Sequence, residues 1–355
     1  MIEFWYSVLV LMMIAYVVFD GRNFGVGVLH LFVAKTPAER RQVIDAIGSF
    51  FSWHEVWLIS FGGTLFLAFP RLYALSFSGY YLALFLILWC LVLRGISVEV
   101  GGHMDDRMWR SFWDAVFAFS NLLLATLFGV ALGDMARGVP IDANGQFPMA
   151  FFTNFGVRGN VGLLDWYTVS VGVMGVVALA AHGATYLAFK TDGPVNVRCG
   201  VISRRLWALL PVLFLIISIE TWVVRPELIG RMVQNPVAWL GILIFLAGAA
   251  AIVTGLKARL ELRTFIGSQM VITGLLIAGA ATIFPVVLYS TLSPQNSLTI
   301  YNTAAGLKGL ELALIWWPVA FALTCAYYVF LVRHYAGKIK LGEDASVKFG
   351  EPPYA

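Results

Sequence analysis

Apolar stretches of about twenty residues recur nine times along this chain, and Lys and Arg collect in alternate gaps between them. A bilayer core about 30 Å thick takes about 20 apolar residues per crossing helix, and helices satisfy their own backbone hydrogen bonds there. The chain is therefore expected to be an all-α, polytopic membrane protein with nine transmembrane helices. The spans are predicted approximately at 4–31, 54–75, 77–99, 112–134, 163–188, 206–225, 236–256, 265–289 and 309–333. Only 12% of the 355 residues are charged, about half the share of an ordinary water-facing domain. Nine helices and short connections use nearly the whole length, so residues 1–355 are read as a single integral membrane domain.

The basic residues set the orientation. Lys35, Arg40 and Arg41, then Arg107 and Arg110, then Lys190, Arg198, Arg204 and Arg205, then Lys257, Arg259 and Arg263 follow spans one, three, five and seven. Arg94 is expected to lean the same way by snorkelling. Arg333, Lys338, Lys340 and Lys348 lie at the end of span nine and beyond it. The opposite gaps and their borders hold fewer: Arg71, Arg137, Arg158, Arg225, Arg231 and Lys308. The positive-inside rule then places the N-terminus outside and the C-terminal tail, 334–355, in the cytoplasm. The longest extracytoplasmic loop is expected at 135–162, where Pro140, Asp142, Asn144, Gly145, Pro148, Asn154, Gly156 and Gly159 supply turn chemistry. The net charge of +4 reads as topology and headgroup contact rather than a nucleic-acid surface. A cleavable signal peptide is not expected, because Glu3 stands where a basic n-region would and no small-residue cleavage site follows. Span one is expected to bend or break at Gly21, Gly25 and Gly27.

Against this background the ionisable groups inside spans carry the functional signal, since a charge near mid-bilayer costs at least about 2.5–3.5 kcal/mol and faces a partner or a wet cavity. The candidates are Asp20 and Arg22 in span one, His54 and Glu55 at the mouth of span two, Arg94 and Glu99 in span three, Asp114 in span four, His182 in span five and Glu220 in span six. Asp20 and Arg22 either neutralise one another or reach another helix; two positions apart, they do not share a helix face. His54 beside Glu55 suits a proton relay, or else His54 anchors the helix at the interface. Glu99 and Asp114 are expected in salt bridges with Arg94, Arg107 or Arg110. Glu220 is either functional or paired with Arg225.

No HExxH, paired CxxC, GxGxxG or GxxxxGK[ST] is present, and His182 and His334 have no second ligand at helical spacing, so no metal held by this chain is expected. Cys90, Cys199 and Cys325 are far apart and read as small hydrophobes. The 12 Trp and 13 Tyr suit interfacial belts and packing against lipids or a partner.

A series of short stretches, running in order over nearly the whole chain, resembles subunit II of the cytochrome bd-type quinol oxidases, including the cyanide-insensitive group. They begin with Asp20-Gly21 and Gly25-Val26-Gly27, Glu39-Arg40-Arg41, Glu55-Val56-Trp57-Leu58, Gly62-Gly63 and Phe69-Pro70. Arg94-Gly95, Glu99, Trp109-Arg110, Trp113-Asp114, Gly138-Val139-Pro140, Gly183-Ala184-Thr185-Tyr186-Leu187, Phe284-Pro285 and Ser297-Leu298-Thr299-Ile300 follow. The resemblance implies two four-helix bundles plus one peripheral helix in the bacterial cytoplasmic (inner) membrane. It implies a heterodimer in which subunit I carries haem b, haem d (or b in its place) and the quinol-oxidising loop, with a small single-helix subunit as a further partner. Subunit II would be the scaffold, with membrane lipids around it and a structural quinone or phospholipid bound to it, and would contribute a proton or oxygen route. The reaction would be quinol oxidation with reduction of oxygen to water.

Two departures touch the proton route that the resemblance implies. Where the family often reads Asp-Gly-Phe-Asp-x-Gly-Val-Gly, this chain reads Asp20-Gly21-Arg22-Asn23-Phe24-Gly25-Val26-Gly27, so the second acid is Asn23. Where the family often reads Trp-Asp-Gly-Asn, this chain reads Phe51-Ser52-Trp53-His54, so Ser52 stands for an acid and an imidazole is gained. The route through Asp20, Asn23, Ser52, His54 and Glu55 is then rerouted by His54 and Glu55, absent, or supplied by subunit I. A haem contact by His54 is a further alternative. An ion-coupled secondary transporter or a purely structural subunit would also explain broken helices and buried charges.

Overall fold

The computed structural model describes residues 1–104, 106–147 and 149–342; Pro148, Lys348 and residues 343–355 of the expected cytoplasmic tail lie outside them. In chain order come α1 (Ile2–Val33), α2 (Pro37–Gly48), α3 (Phe51–Ala68), α4 (Pro70–Gly79), α5 (Tyr81–Val100), α6 (Arg107–Arg137), α7 (Trp166–Lys190), α8 (Gly193–Val224), α9 (Glu227–Gln234), α10 (Pro236–Ala258) and α11 (Glu261–Ile283). A two-stranded antiparallel hairpin, β1 (Val286–Leu288) with β2 (Leu298–Thr299), leads through α12 (Ile300–Thr303) into α13 (Leu307–His334). Among the described residues eight helices are long and apolar enough to cross a membrane: α1, α5, α6, α7, α8, α10, α11 and α13.

Span two departs from its predicted course. Instead of one helix over 54–75, α3 ends at Ala68 and α4 begins at Pro70, with Phe69 between them at φ −135°, ψ 60°. Proline lacks the N–H that would continue the ladder and pushes its predecessor out of the helical region. Span eight likewise ends early, at Ile283, and Pro285 opens the turn into the hairpin where helix was expected up to 289. Conversely, the gap before span six is helical: α8 starts at Gly193-Pro194 and carries Arg198, Arg204 and Arg205 on its first turns.

Span one does not break at its glycines; α1 runs unbroken from Ile2 to Val33. The glycines instead admit neighbours. A Cβ on Gly25 would overlap the Leu179 carbonyl, one on Gly183 would overlap the Gly25 backbone, and one on Gly27 would overlap the Asn121 side chain. Close backbone approach at small residues is the usual way helices associate where lipid removes the hydrophobic drive. Thus α1 sits at the centre, packed on α3, α6 and α7, while α5 leans on α6, α8 on α7, and α10 on α11. Helix α13 is peripheral, with Leu312, Ile315, Val319 and Leu323 all exposed.

The two ends of the bundle differ. At one, α2 is fixed by a capping box between Thr36 and Glu39. The segment after α13 folds back over this end: Ile339 N–H donates to the Lys190 carbonyl (2.8 Å), Gln42 Nε2 to the Ile339 carbonyl (2.8 Å), and Lys338 Nζ pairs with Glu261 (2.6 Å). At the other end the irregular segment 138–165, which contains most of the predicted loop, packs with the hairpin; Val139 N–H donates to Tyr289 O at 2.8 Å and Phe147 lies against Gly79.

Candidate functional site

The centre of the molecule holds a cluster of charges on α1, α3 and α5. Asp20, Asn23, His54 and Arg94 are fully buried, and Arg22 is 4% exposed. Arg94 forks onto Asp20, with Nη1 donating to Oδ1 (3.1 Å) and Nη2 to Oδ2 (2.6 Å), and Nη2 also donates to Glu55 Oε1 at 2.9 Å. A planar two-pronged donor matches a carboxylate in this way. The guanidinium is held between the Phe24 and Phe51 rings, 4.7 Å from each centroid. Arg22 Nη2 donates to His54 Nε2 at 2.6 Å and its guanidinium lies 4.7 Å from the Tyr186 ring. Asn23 Nδ2 stands 2.8 Å from His54 Nδ1 and donates to Asp20 Oδ1 at 3.0 Å. Two guanidinium groups therefore face two carboxylates around one imidazole. Buried charges are retained only with such pairing.

The geometry resolves several alternatives. Asp20 and Arg22 do not neutralise one another; each reaches across to a different helix. Arg94 does not snorkel: it is fully buried, and so is its two-pronged partner Asp20, so the side chain stays inside. Glu55 is the cluster's edge, its side chain 35% exposed. Ser52 is not part of the cluster, since it lies on the exposed face of α3. Glu99 is exposed on α5 and pairs with none of the described arginines. His182 is a core histidine with both ring nitrogens engaged, Nε2 to Val18 O (3.0 Å) and Nδ1 to Ser268 Oγ (2.8 Å). Glu220 accepts from Ser170 Oγ at 3.2 Å, whereas Arg225, its expected partner, pairs with Glu227 at 2.8 Å.

Asp114 is paired as expected, but with other partners. Its Oδ1 is hydrogen-bonded to His30 Nε2 and its Oδ2 accepts from Arg40 Nη1, both at 2.7 Å. His30, which is not among the residues expected at the site, is fully buried on α1 and edge-on to the Phe117 ring at 5.4 Å. Its signal was the stripe Asp20, Asn23, Gly27, His30, spaced to share one helix face. Beside it, Glu39 joins α2 to α8 through Arg198 at 2.5 Å. Burial pushes the Glu39 carboxyl up, but the Lys35 and Thr36 N–H groups and Arg198 outweigh it and hold it below the ordinary value. A second missed network lies at the opposite end: Arg137 pairs with Asp134 (2.6 Å) and with Asp165, all buried, and Asp165 also caps α7.

Among the described residues no group of three or more His, Cys, Asp or Glu is placed to hold a metal ion. The central cluster pairs its buried charges across α1, α3 and α5.

Comparison with known proteins gives a consistent result. The family described as cytochrome bd terminal oxidase subunit II has a sequence model that matches residues 1–335. The chain is 27% identical to the probable cytochrome oxidase subunit 2 of Haemophilus influenzae, over 94% of each chain. It is 26% identical to the cytochrome bd-I ubiquinol oxidase subunit 2 of Escherichia coli, over 85% of each. It is 27% identical to the cytochrome bd ubiquinol oxidase subunit 2 of Bacillus subtilis, over 93% of this chain and 96% of that one. In fold it is similar to a chain of the bd oxidase from Geobacillus thermodenitrificans, with a TM-score of 0.73 at 17% identity, covering 94% of this chain and 98% of that one.

Proposed function

Because the chain belongs to the subunit II family of cytochrome bd terminal oxidases, we infer that it is subunit II of a bacterial quinol-oxidising, oxygen-reducing complex of the inner membrane. The family match over residues 1–335 carries this conclusion. It also disfavours the transporter alternative, which rested on broken helices and buried charges.

The finer assignments rest on the geometry. The haems and the quinol-oxidising loop belong to the partner, subunit I, and this chain is the non-catalytic scaffold. In support, His54 and His182 each have both ring nitrogens engaged within the chain, and His30 commits Nε2 to Asp114. None of the three presents an open Nε2 to iron. When bound on subunit I, the haems would supply electron transfer and oxygen reduction. The ninth crossing is α3, whose hydropathy is reduced by His54 and Glu55 but whose flank against α1 is buried. The N-terminus faces outward, since Lys35, Arg40, Arg41, Arg198, Arg204, Arg205, Lys257, Arg259 and Arg263 gather at the other end. The segment 138–165 then lies on the outer side and the α13 tail on the cytoplasmic side. Lipid, a structural quinone or a small single-helix partner would cover exposed apolar faces such as that of α13.

Asp20, Asn23, His54 and Glu55 are proposed as this chain's proton-handling centre, with Arg22 and Arg94 holding it charge-balanced; Ser52 is left out of the route. The complex purified from its native membrane should show haem absorption and quinol-dependent oxygen consumption. Glu55→Gln should slow turnover by roughly a hundredfold or more with the haem content unchanged, the scale of a lost acid–base group. A colourless chain purified alone would refute the oxidase assignment. Unaltered turnover in Glu55→Gln would refute the proton role.

A further inference from the structure

The central cluster does not end at Asn23. On the α1 stripe, Gly27 lies one turn further on and His30 one turn beyond that, about 10 Å from Asn23 at 1.5 Å per residue. The facing stripe of α6 carries Asp114, Phe117 and Asn121 with the same periodicity. The two stripes meet at both levels: His30 Nε2 is hydrogen-bonded to Asp114 Oδ1 at 2.7 Å, and the Asn121 side chain lies against Gly27, where an added Cβ would overlap it. His30, Ser120, Asn121 and Asn23 are all fully buried. Yet His30 Nδ1, Ser120 Oγ, Asn121 Oδ1 and Asn23 Oδ1 have no protein partner. Buried polar atoms are almost always paired, with ordered water where protein is lacking. Of these, His30 Nδ1, Asn121 Oδ1 and Asn23 Oδ1 lie along the two facing stripes, a line of unpartnered polar atoms between α1 and α6 of the kind that bridging water satisfies. It opens at the basic end, where the Asp114 and Arg40 side chains are 15% and 32% exposed.

We propose that Asp114 and His30 form a proton entry from the cytoplasmic face that feeds the central cluster along Asn121 and Asn23. This deepens, and rests on, the oxidase assignment above. Arg40 anchors Asp114 at the surface. With the His30 proton on Nδ1 and Nε2 bare towards Asp114, a proton taken by Asp114 Oδ1 passes to Nε2 and the Nδ1 proton leaves for the interior; turning the ring over then presents the bare Nδ1 to Asp114 and the Nε2–H to the interior, ready for the next proton. One proton enters and one leaves per passage. Asn121 and Asn23 are positioning residues that orient the bridging water. Phe117 packs edge-on against the His30 ring.

The test uses the intact complex of this chain with its haem-bearing partner, reconstituted in liposomes. In His30→Phe and Asn121→Leu, quinol-driven oxygen consumption should fall about tenfold or more, with the haem spectrum per complex unchanged. The ratio of rates in H2O and D2O should rise, which a packing defect would not cause. Added imidazole should restore part of the rate in His30→Ala. Wild-type rates and an unaltered isotope ratio in both variants would overturn the proposal. If His30→Phe fails to assemble, His30→Gln and Asp114→Asn retain side-chain volume and are judged by the same ratio. Loss of assembly in these as well would make the trio a structural pin and overturn the proposal. An inactive wild-type complex would instead count against the oxidase assignment itself.

Discussion

Arg94 is the residue whose removal the centre should tolerate least, because one guanidinium serves Asp20 and Glu55 together. Arg94→Met strands a buried carboxylate, at a cost of about 3–5 kcal/mol; the expected result is a loss of assembled complex and a lower thermal midpoint. Arg94→Lys keeps the charge but not the fork, and should fall between. Glu39 sets a pH limit. Its folded-state carboxyl lies below the ordinary value of 4.5, so its contribution is complete above that value and is lost as pH falls through the lowered one. Thermal midpoints of wild type and Glu39→Gln should therefore differ at neutral pH and converge in acid. The sequence made Asp20, Arg22, His54, Glu55 and Arg94 conspicuous as charges in apolar surroundings. It did not reveal who meets whom, since Asp20 and Arg94 are 74 residues apart. His30 carries no fixed charge and has no acid beside it in sequence, so only the stripe that links it to Asp20 marks it.

Helices were largely visible in the hydropathy pattern, and their faults were not. Glycine lowers helix propensity by about 1 kcal/mol, which favoured a break in α1; packing against Leu179, Gly183 and Asn121 keeps the helix whole and gives those glycines their use. Pro70 had the opposite outcome, ending α3 inside an apolar run. The same contacts predict that Gly183→Leu forces α7 off α1, at a cost of at least about 1–3 kcal/mol of overpacking, seen as reduced complex in the membrane. Gly279→Ala on α11, where an added Cβ meets nothing within 4 Å, should be tolerated or slightly stabilising.

At the scale of the whole chain, the segment after α13 joins parts distant in sequence: Gln42 to Ile339, Lys190 to Tyr335 and Ile339, and Glu261 to Lys338. Removing residues from Gly337 onward should loosen α2 and the peripheral α13, and limited proteolysis should cut the α1–α2 connection faster than in wild type. Nothing in residues 335–342 announced this role, because short mixed segments gain their partners only from the assembled bundle. The clasp also imposes an order in time. Its residues leave the ribosome after every helix they fasten, so the newborn bundle waits open at that end until they emerge. A transcript that stops early yields all the crossings and no fastening, a difference a membrane protease can sense.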